Sequence, residues 1–257
     1  TPTELTPTEE ATLQPSPAAT AVASGPATPG GGQGWFTVLG FARGPLFKAA
    51  LWFFVLGMLF RLIQALRFGW RHKPSPVRRG GGGAVARSFL HGLFVLPFIP
   101  GLRGVFRRNP VIYIAGGLFH VGLLVVVFFS RSHMLALKGI LRFGWPVLPT
   151  NIIHPLAAVA IVAMLALLIH RVANPVMRLI SGPAEWLNWV FVFLPMATGF
   201  VLAAKWWLPY QVMFSLHMLL VDFLLVWIPL SRISHFIFYF FSRTVLGTEF
   251  GRSIETT

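Results

Sequence analysis

The chain has 257 residues, 55% of them hydrophobic and only 11% charged, with a mean hydropathy of +0.71 and a formal charge of +14. Several apolar runs reach the roughly 20 residues a helix needs to cross about 30 Å of hydrocarbon, which excludes an ordinary water-soluble domain. The absence of cysteine excludes thiolate-held iron–sulfur clusters, covalently attached haem, zinc–thiolate sites and disulfides within this chain, so redox chemistry here needs a noncovalent cofactor.

Residues 1–34 are rich in Thr, Pro, Ala and Gly and lack the basic start of a signal peptide; they are expected to be a disordered tail. The rest, 35–257, reads as one membrane domain. Its first span is expected over about residues 47–66, followed by a basic connector over about 67–109 with a flexible Gly80–Gly83 stretch. An apolar piece inside the connector is interrupted by Pro97 and Pro100 and is read as interfacial, because it is too short and too broken to span. Four further spans are expected over about 110–129, 152–169, 186–204 and 209–241. The fold class is therefore all-α, a membrane protein with five transmembrane helices.

Charge sets the direction. Ten Lys and Arg residues fall between positions 61 and 108, which is the asymmetry of a cytoplasmic loop and not the distributed basic face of a nucleic-acid binder. Arg171, Arg178, Arg232, Arg243 and Arg252 fall on the same side. An odd number of crossings then puts the N-terminus outside and the C-terminus in the cytoplasm of a bacterial or archaeal inner membrane. The last stretch has 33 residues, about 50 Å of helix, and must protrude, tilt or bend, with Pro229 the natural bend.

Histidines supply the chemistry. His217 and His235 are 18 residues apart in the last span, and at about 100° per residue this is five turns of a continuous helix. Imidazoles inside a bilayer are costly unless they coordinate or relay something, so two on one stripe suggest axial ligands for two b haems at different depths. His120, in the second and oppositely directed span, falls at the depth of His235, and this pair is expected to hold an inner haem. His217 needs an outer partner, and the sequence offers His133 or His154. His133 follows His120 by 13 residues, about 140° around an ideal helix, so it can serve only if the helix end unwinds or the haems are offset. His72, His91 and His170 are read as interfacial.

Other polar groups complete the candidate set. Asp222 is the single acid within a span and could take a quinol proton, position a ligand imidazole, or rest in a helix interface. Lys138 and Arg142, in the outer loop, could hydrogen-bond a quinone carbonyl or be solvated loop charge. Arg232 could pair the carboxylates of the inner haem, although topology alone accounts for a basic residue there. Gly116, Gly117 and Gly122 flank His120, where small residues permit close approach of a flat group or of another helix. Trp145, Trp206 and Trp207 at one boundary, and Trp186 and Trp189 at the other, read as interface anchors.

These motifs carry a resemblance. The stretch from Leu216-His217-Met218 to Ile228-Pro229-Leu230-Ser231-Arg232-Ile233-Ser234-His235 resembles the last helix of the cytochrome b (gamma) subunit of respiratory nitrate reductase. Leu118-Phe119-His120-Val121-Gly122-Leu123-Leu124 is similar to that family's second-helix ligand motif, and the similarity runs from about residue 47 to 250. It implies a di-haem b protein that exchanges electrons with the quinone pool and anchors a cytoplasmic iron–sulfur partner. One departure concerns the outer haem: in the family pattern the second histidine follows the first by ten residues, where this chain has Ser130. Phe238 to Arg243, Gly247 to Arg252, Ser132-His133-Met134 and Gly144 to Pro149 look more like the related subunits of sulfate-reducer redox complexes, whose partner resembles the iron–sulfur subunit of heterodisulfide reductase. A mono-haem carrier and a haem-free membrane anchor are the alternative readings; a transporter would want repeated halves and polar spans, and neither is found.

Overall fold

The spans are helical because every backbone N–H and C=O in them must be satisfied without water. The computed structural model describes residues 31–71, 109–239 and 241–242, with isolated positions 83, 86 and 90, and among them there is no strand. Five helical stretches are long and apolar enough to cross a membrane: Gly34–Arg67, Pro110–Phe129, Thr150–Ala173, Pro183–Ala204 and Tyr210–Leu230.

The first crossing is longer than the sequence suggests. Helix α1 (Gly31–Phe41) runs through a π-helical segment (Ala42–Leu46) into α2 (Phe47–Arg71). Pro45 lies inside the π segment; it has no N–H to give and its ring crowds the preceding turn, so the hydrogen-bond ladder slips there without ending the helix. Residues 31–34, expected in the tail, are thus helical. The rest of the expected tail and most of the basic connector lie outside the described residues, as do His72 and His91.

Helix α3 (Pro110–Phe129) starts with proline at its first position, where a missing N–H costs nothing. It stops at Ser130, whose extended backbone (φ −75°, ψ 142°) caps a short helix α4 (Arg131–Leu141). The loop beyond α4 folds back: Trp145 Nε1 donates to Phe128 O at 2.6 Å and Leu148 N to Phe129 O at 2.9 Å, satisfying carbonyls that the end of α3 leaves open. Helix α5 (Thr150–Ala173) is followed by α6 (Pro175–Leu179), capped by the Asn174 side chain on Val176 N and Met177 N. Helix α7 (Pro183–Ala204) is capped by Glu185 reaching back to Gly182 N at 2.9 Å.

Helix α8 (Tyr210–Leu230) does not continue to residue 241 as expected. It ends at Ser231 (φ −116°, ψ 176°), one 3-10 turn follows (Arg232–Ser234), and residues 235–239 are helical again. The proline-bearing end is unable to propagate its ladder, and the Ser231 hydroxyl accepts from Ile233 N to start the next turn. His217 and His235 therefore do not lie on one continuous helix, and the five-turn argument does not hold across the break.

Helix α3 packs along α5, α5 against α7, α7 against α8, and α8 against α2, α1 and the π segment, with no comparable contact between α3 and α8. Lipid offers no hydrophobic driving force between helices, so close approach at small residues does the packing. Gly122 of α3 sits where a Cβ would lie 2.8 Å from the Ala160 Cβ of α5, and Gly57 of α2 where it would lie 2.6 Å from the Pro229 Cβ of α8. Ala42, Ala50, Ala115, Ala160 and Ala163 are buried, whereas large apolar side chains such as Trp52, Phe60, Val162 and Ile169 point outward. Trp189 Nε1 donates to Met164 O and Trp227 Nε1 to Asn188 Oδ1, tying α7 to α5 and α8.

Candidate functional site

Two pairs of histidines face one another, His120 of α3 with His235 beyond the end of α8, and His133 of α4 with His217 of α8. The rings of His120 and His235 have centroids 6.1 Å apart at an interplanar angle of 86°. At the other end of α8 the rings of His133 and His217 are 6.3 Å apart at 32°. His154 is exposed near the start of α5 and has no ring pairing among the described residues.

How His133 reaches His217 is explained by the break at Ser130. The expected 140° offset from His120 applies to a continuous helix, and ending α3 at Ser130 releases His133 from it. The Ser130 hydroxyl is 2.8 Å from His133 Nδ1, and the same oxygen accepts from His133 N. Thus the residue at the helix break holds the histidine that comes three residues later.

All four imidazoles are held through the same nitrogen. Nδ1 faces Gly116 O at 2.7 Å in His120, Val126 O at 3.0 Å in His133 and Arg232 O at 3.1 Å in His235. A carbonyl only accepts, so Nδ1 is the donor in each of these three rings. In His217 the partner is Thr198 Oγ1 at 3.2 Å; that hydroxyl donates to Leu194 O at 2.8 Å and is left to accept from the ring. A neutral imidazole with Nδ1–H fixed by an outer partner is the usual arrangement of a metal-bound histidine.

Spacing gives an independent fit. Two imidazoles on opposite sides of one metal, with metal–nitrogen bonds of about 2.0–2.1 Å and ring centres about 1.1 Å beyond each nitrogen, have centroids about 6.3 Å apart. Both pairs match that separation. The positions of Gly116 and Gly117 open onto empty space, nothing lying within 4 Å of a Cβ placed there, and α3 stands off from α8, so a flat macrocycle is not blocked by helix packing. Among the described residues no three His, Cys, Asp or Glu side chains converge.

Several supports were not legible as site residues. Gly199 leaves room for His217: a Cβ there would lie 2.9 Å from its Cε1. Thr198 and Gly199 carry no signal of their own in an apolar helix. Arg61 of α2 donates from Nε to Pro229 O at 2.8 Å, satisfying a carbonyl at the end of α8, and Arg232 forms an ion pair with Glu185. Arg61, Asn188, Trp227, Ser231, Arg232 and His235 line a cavity of about 490 Å³ beside the His235 end.

The remaining candidates separate. Lys138 and Arg142 are exposed on and just after α4, and Arg142 has a left-handed backbone (φ 67°) as the helix cap. Asp222 is elsewhere, buried on α8 with both carboxylate oxygens unpartnered, so these three do not form one cluster. Of the tryptophans, Trp207 is exposed as an anchor would be, while Trp145 and Trp189 bond backbone carbonyls.

Comparison with known proteins adds a relative but not a role. The chain is 28% identical over 218 residues to a protein of Nitratidesulfovibrio vulgaris (strain Hildenborough). The alignment covers 82% of this chain and 92% of that protein. That relative's designation names no activity. No family model and no solved structure matches the chain.

Proposed function

We propose that this chain is a di-haem b membrane subunit that carries electrons between the quinone pool and a cytoplasmic iron–sulfur partner of a redox complex. The observation that carries the proposal is the pair of imidazole couples, 6.1 and 6.3 Å apart, with Nδ1 fixed in all four rings. His120 and His235 would hold an inner haem and His133 and His217 an outer one. Bound b haem supplies reversible one-electron transfer at iron, which no side chain of this cysteine-free protein provides.

The protein's own contribution is placement. Ser130 and Thr198 orient the outer imidazoles, and backbone carbonyls at Gly116 and Arg232 orient the inner ones. Arg232, beside His235, offers a guanidinium to the inner haem's carboxylates while Glu185 steadies it. His133 and His217 are half-buried, whereas His120 and His235 are exposed. Lys138, on the same short helix as His133, and Arg142, just after it, are exposed donors suited to a quinone carbonyl.

Orientation follows from the sequence: the basic connector and the arginines after residue 242 would face the cytoplasm of a bacterial or archaeal membrane and receive the iron–sulfur subunit. The resemblance to nitrate reductase gamma and sulfate-reducer subunits supports quinone and an iron–sulfur protein as the two redox partners.

Histidine replacement tests the assignment. In purified protein, His120→Ala or His235→Ala removes one b haem and His133→Ala or His217→Ala the other, whereas His154→Ala leaves both. Retention of both haems in His120→Ala and His133→Ala overturns the ligand set.

A further inference from the structure

The cavity of about 490 Å³ at the end of α8 brings together Arg61 of α2, Asn188 of α7 and Arg232 beyond α8, and it is rich in donors. The acceptors around it are already engaged. Asn188 Oδ1 takes the Trp227 indole N–H at 2.8 Å, Pro229 O takes Arg61 Nε at 2.8 Å, and Ser231 O takes the Ser234 hydroxyl at 2.8 Å. An indole N–H only donates, so the Asn188 amide must turn its oxygen to Trp227, which leaves its NH2 group as the unengaged side. Arg61 gives Nε to Pro229 and one terminal nitrogen to Gln64 at 3.3 Å; its other terminal nitrogen has no partner among the described residues.

The two guanidiniums differ in charge balance. Arg232 is exposed and ion-paired with Glu185. Arg61 is half-buried, and both of its partners, a carbonyl and an amide, are neutral. Helix α2 carries no acid, and the acid of α8, Asp222, precedes Pro229 by seven residues, about 10 Å of rise. One uncompensated positive charge therefore faces the cavity on a side chain that two bonds hold in place. The walls beside it are apolar: Trp227 and Leu230 at the end of α8, and Phe238 past the break. The cavity lies where α7 begins and α8 ends, at the boundary of the spans.

We propose that this cavity holds the phosphate of an anionic phospholipid, with the terminal nitrogen of Arg61 and the NH2 group of Asn188 as its donors and the acyl chains along Trp227, Leu230 and Phe238. Basic pockets between transmembrane helices on the cytoplasmic side take headgroups of this kind. The inference needs no haem; it rests on the proposed function only for the leaflet that supplies the lipid, the cytoplasmic one. Arg232, neutralised by Glu185, keeps the role given to it above. A zwitterionic lipid carries an ammonium group that Arg61 repels, and a free phosphate leaves the apolar walls uncovered. Helices α2 and α7 each pack on α8, so a lipid held by Arg61 and Asn188 joins them at that end of the bundle.

The test uses the full chain purified with its native partners, exposed in turn to phosphatidylglycerol, phosphatidylethanolamine and inorganic phosphate, and read by native mass spectrometry. The wild type is expected to retain phosphatidylglycerol in preference to phosphatidylethanolamine, and inorganic phosphate does not displace it. Arg61→Gln removes the charge and weakens that retention about fivefold. Asn188→Asp keeps the acceptor for Trp227 and puts an oxygen in place of the NH2 group, so it weakens retention without touching Arg61, and it decides the matter if Arg61→Gln fails to fold. Unchanged retention in the variants, equal retention of phosphatidylethanolamine, or displacement by inorganic phosphate overturns the inference. Loss of the inner haem from Arg61→Gln with lipid retention intact also overturns it, assigning the guanidinium to the haem carboxylates and leaving the di-haem reading standing. A colourless wild type that retains phosphatidylglycerol overturns the di-haem reading and leaves the lipid site standing.

Discussion

The Ser130 side chain ends one helix and holds an imidazole of the next, its oxygen 2.8 Å from His133 Nδ1. One residue thus converts an unfavourable helical register into a facing pair with His217. Replacing it separates the two effects. Ser130→Ala removes a helix cap, a loss of about 1 kcal/mol. Losing the outer partner of a ligating histidine typically weakens metal affinity about 10–100-fold. The expected outcome is protein that folds and retains the inner haem but loses outer haem during purification, read as haem per chain; full retention of both would remove Ser130 from the account.

Gly199 gives a steric counterpart. A Cβ there would lie 2.9 Å from His217 Cε1, closer than van der Waals contact permits. Gly199→Val is expected to displace the imidazole at a strain of about 1–3 kcal/mol and to eliminate the outer haem, leaving the inner spectrum unchanged. Absorbance after partial reduction, compared with His217→Ala, checks whether the two variants lose the same component.

At the other end, α2 fixes the exit of α8. Gly57 abuts Pro229 and Arg61 bonds its carbonyl, just before the break that turns the chain toward His235. Arg61→Ala leaves that carbonyl without its donor, so the inner haem is expected to shift in midpoint potential and the outer haem to stay put. Redox titration measures both in one sample, the outer component serving as the internal control.

Ring orientation supplies a spectroscopic prediction. The inner imidazoles are nearly perpendicular, at 86°, and the outer pair is tilted by only 32°. Perpendicular ligand planes leave the iron orbitals of a low-spin ferric haem more nearly degenerate and increase the anisotropy of its electron paramagnetic resonance. Two ferric signals are expected, the larger g maximum belonging to the component lost in His120→Ala. A reversed assignment would show that the rings reorient when metal binds.

The fold was largely legible because lipid imposes simple rules on length and polarity. The span over 110–129 coincides with α3, and those over 152–169 and 186–204 fall inside α5 and α7. What escaped were local events that hydropathy does not encode. Pro45 extends the first crossing as a π segment instead of ending it, and Ser231 breaks the last one, so the 18-residue spacing between His217 and His235 was read through a continuous helix that does not exist. His120, His217 and His235 stood out because imidazole is rare in apolar runs. His133 and His154 could not be separated, because the choice turns on the backbone at Ser130. Gly199, Thr198 and Arg61 were missed because their roles appear only when a neighbouring helix is present.

The central claim is that each facing imidazole pair grips one b haem. Quantitative haem extraction from the wild-type protein, purified with its native partners and combined with its reduced-minus-oxidised spectrum, tests it most directly. The account predicts two b haems per chain, each low-spin; a colourless preparation, or haem bound without loss on removing His120 or His133, would contradict it.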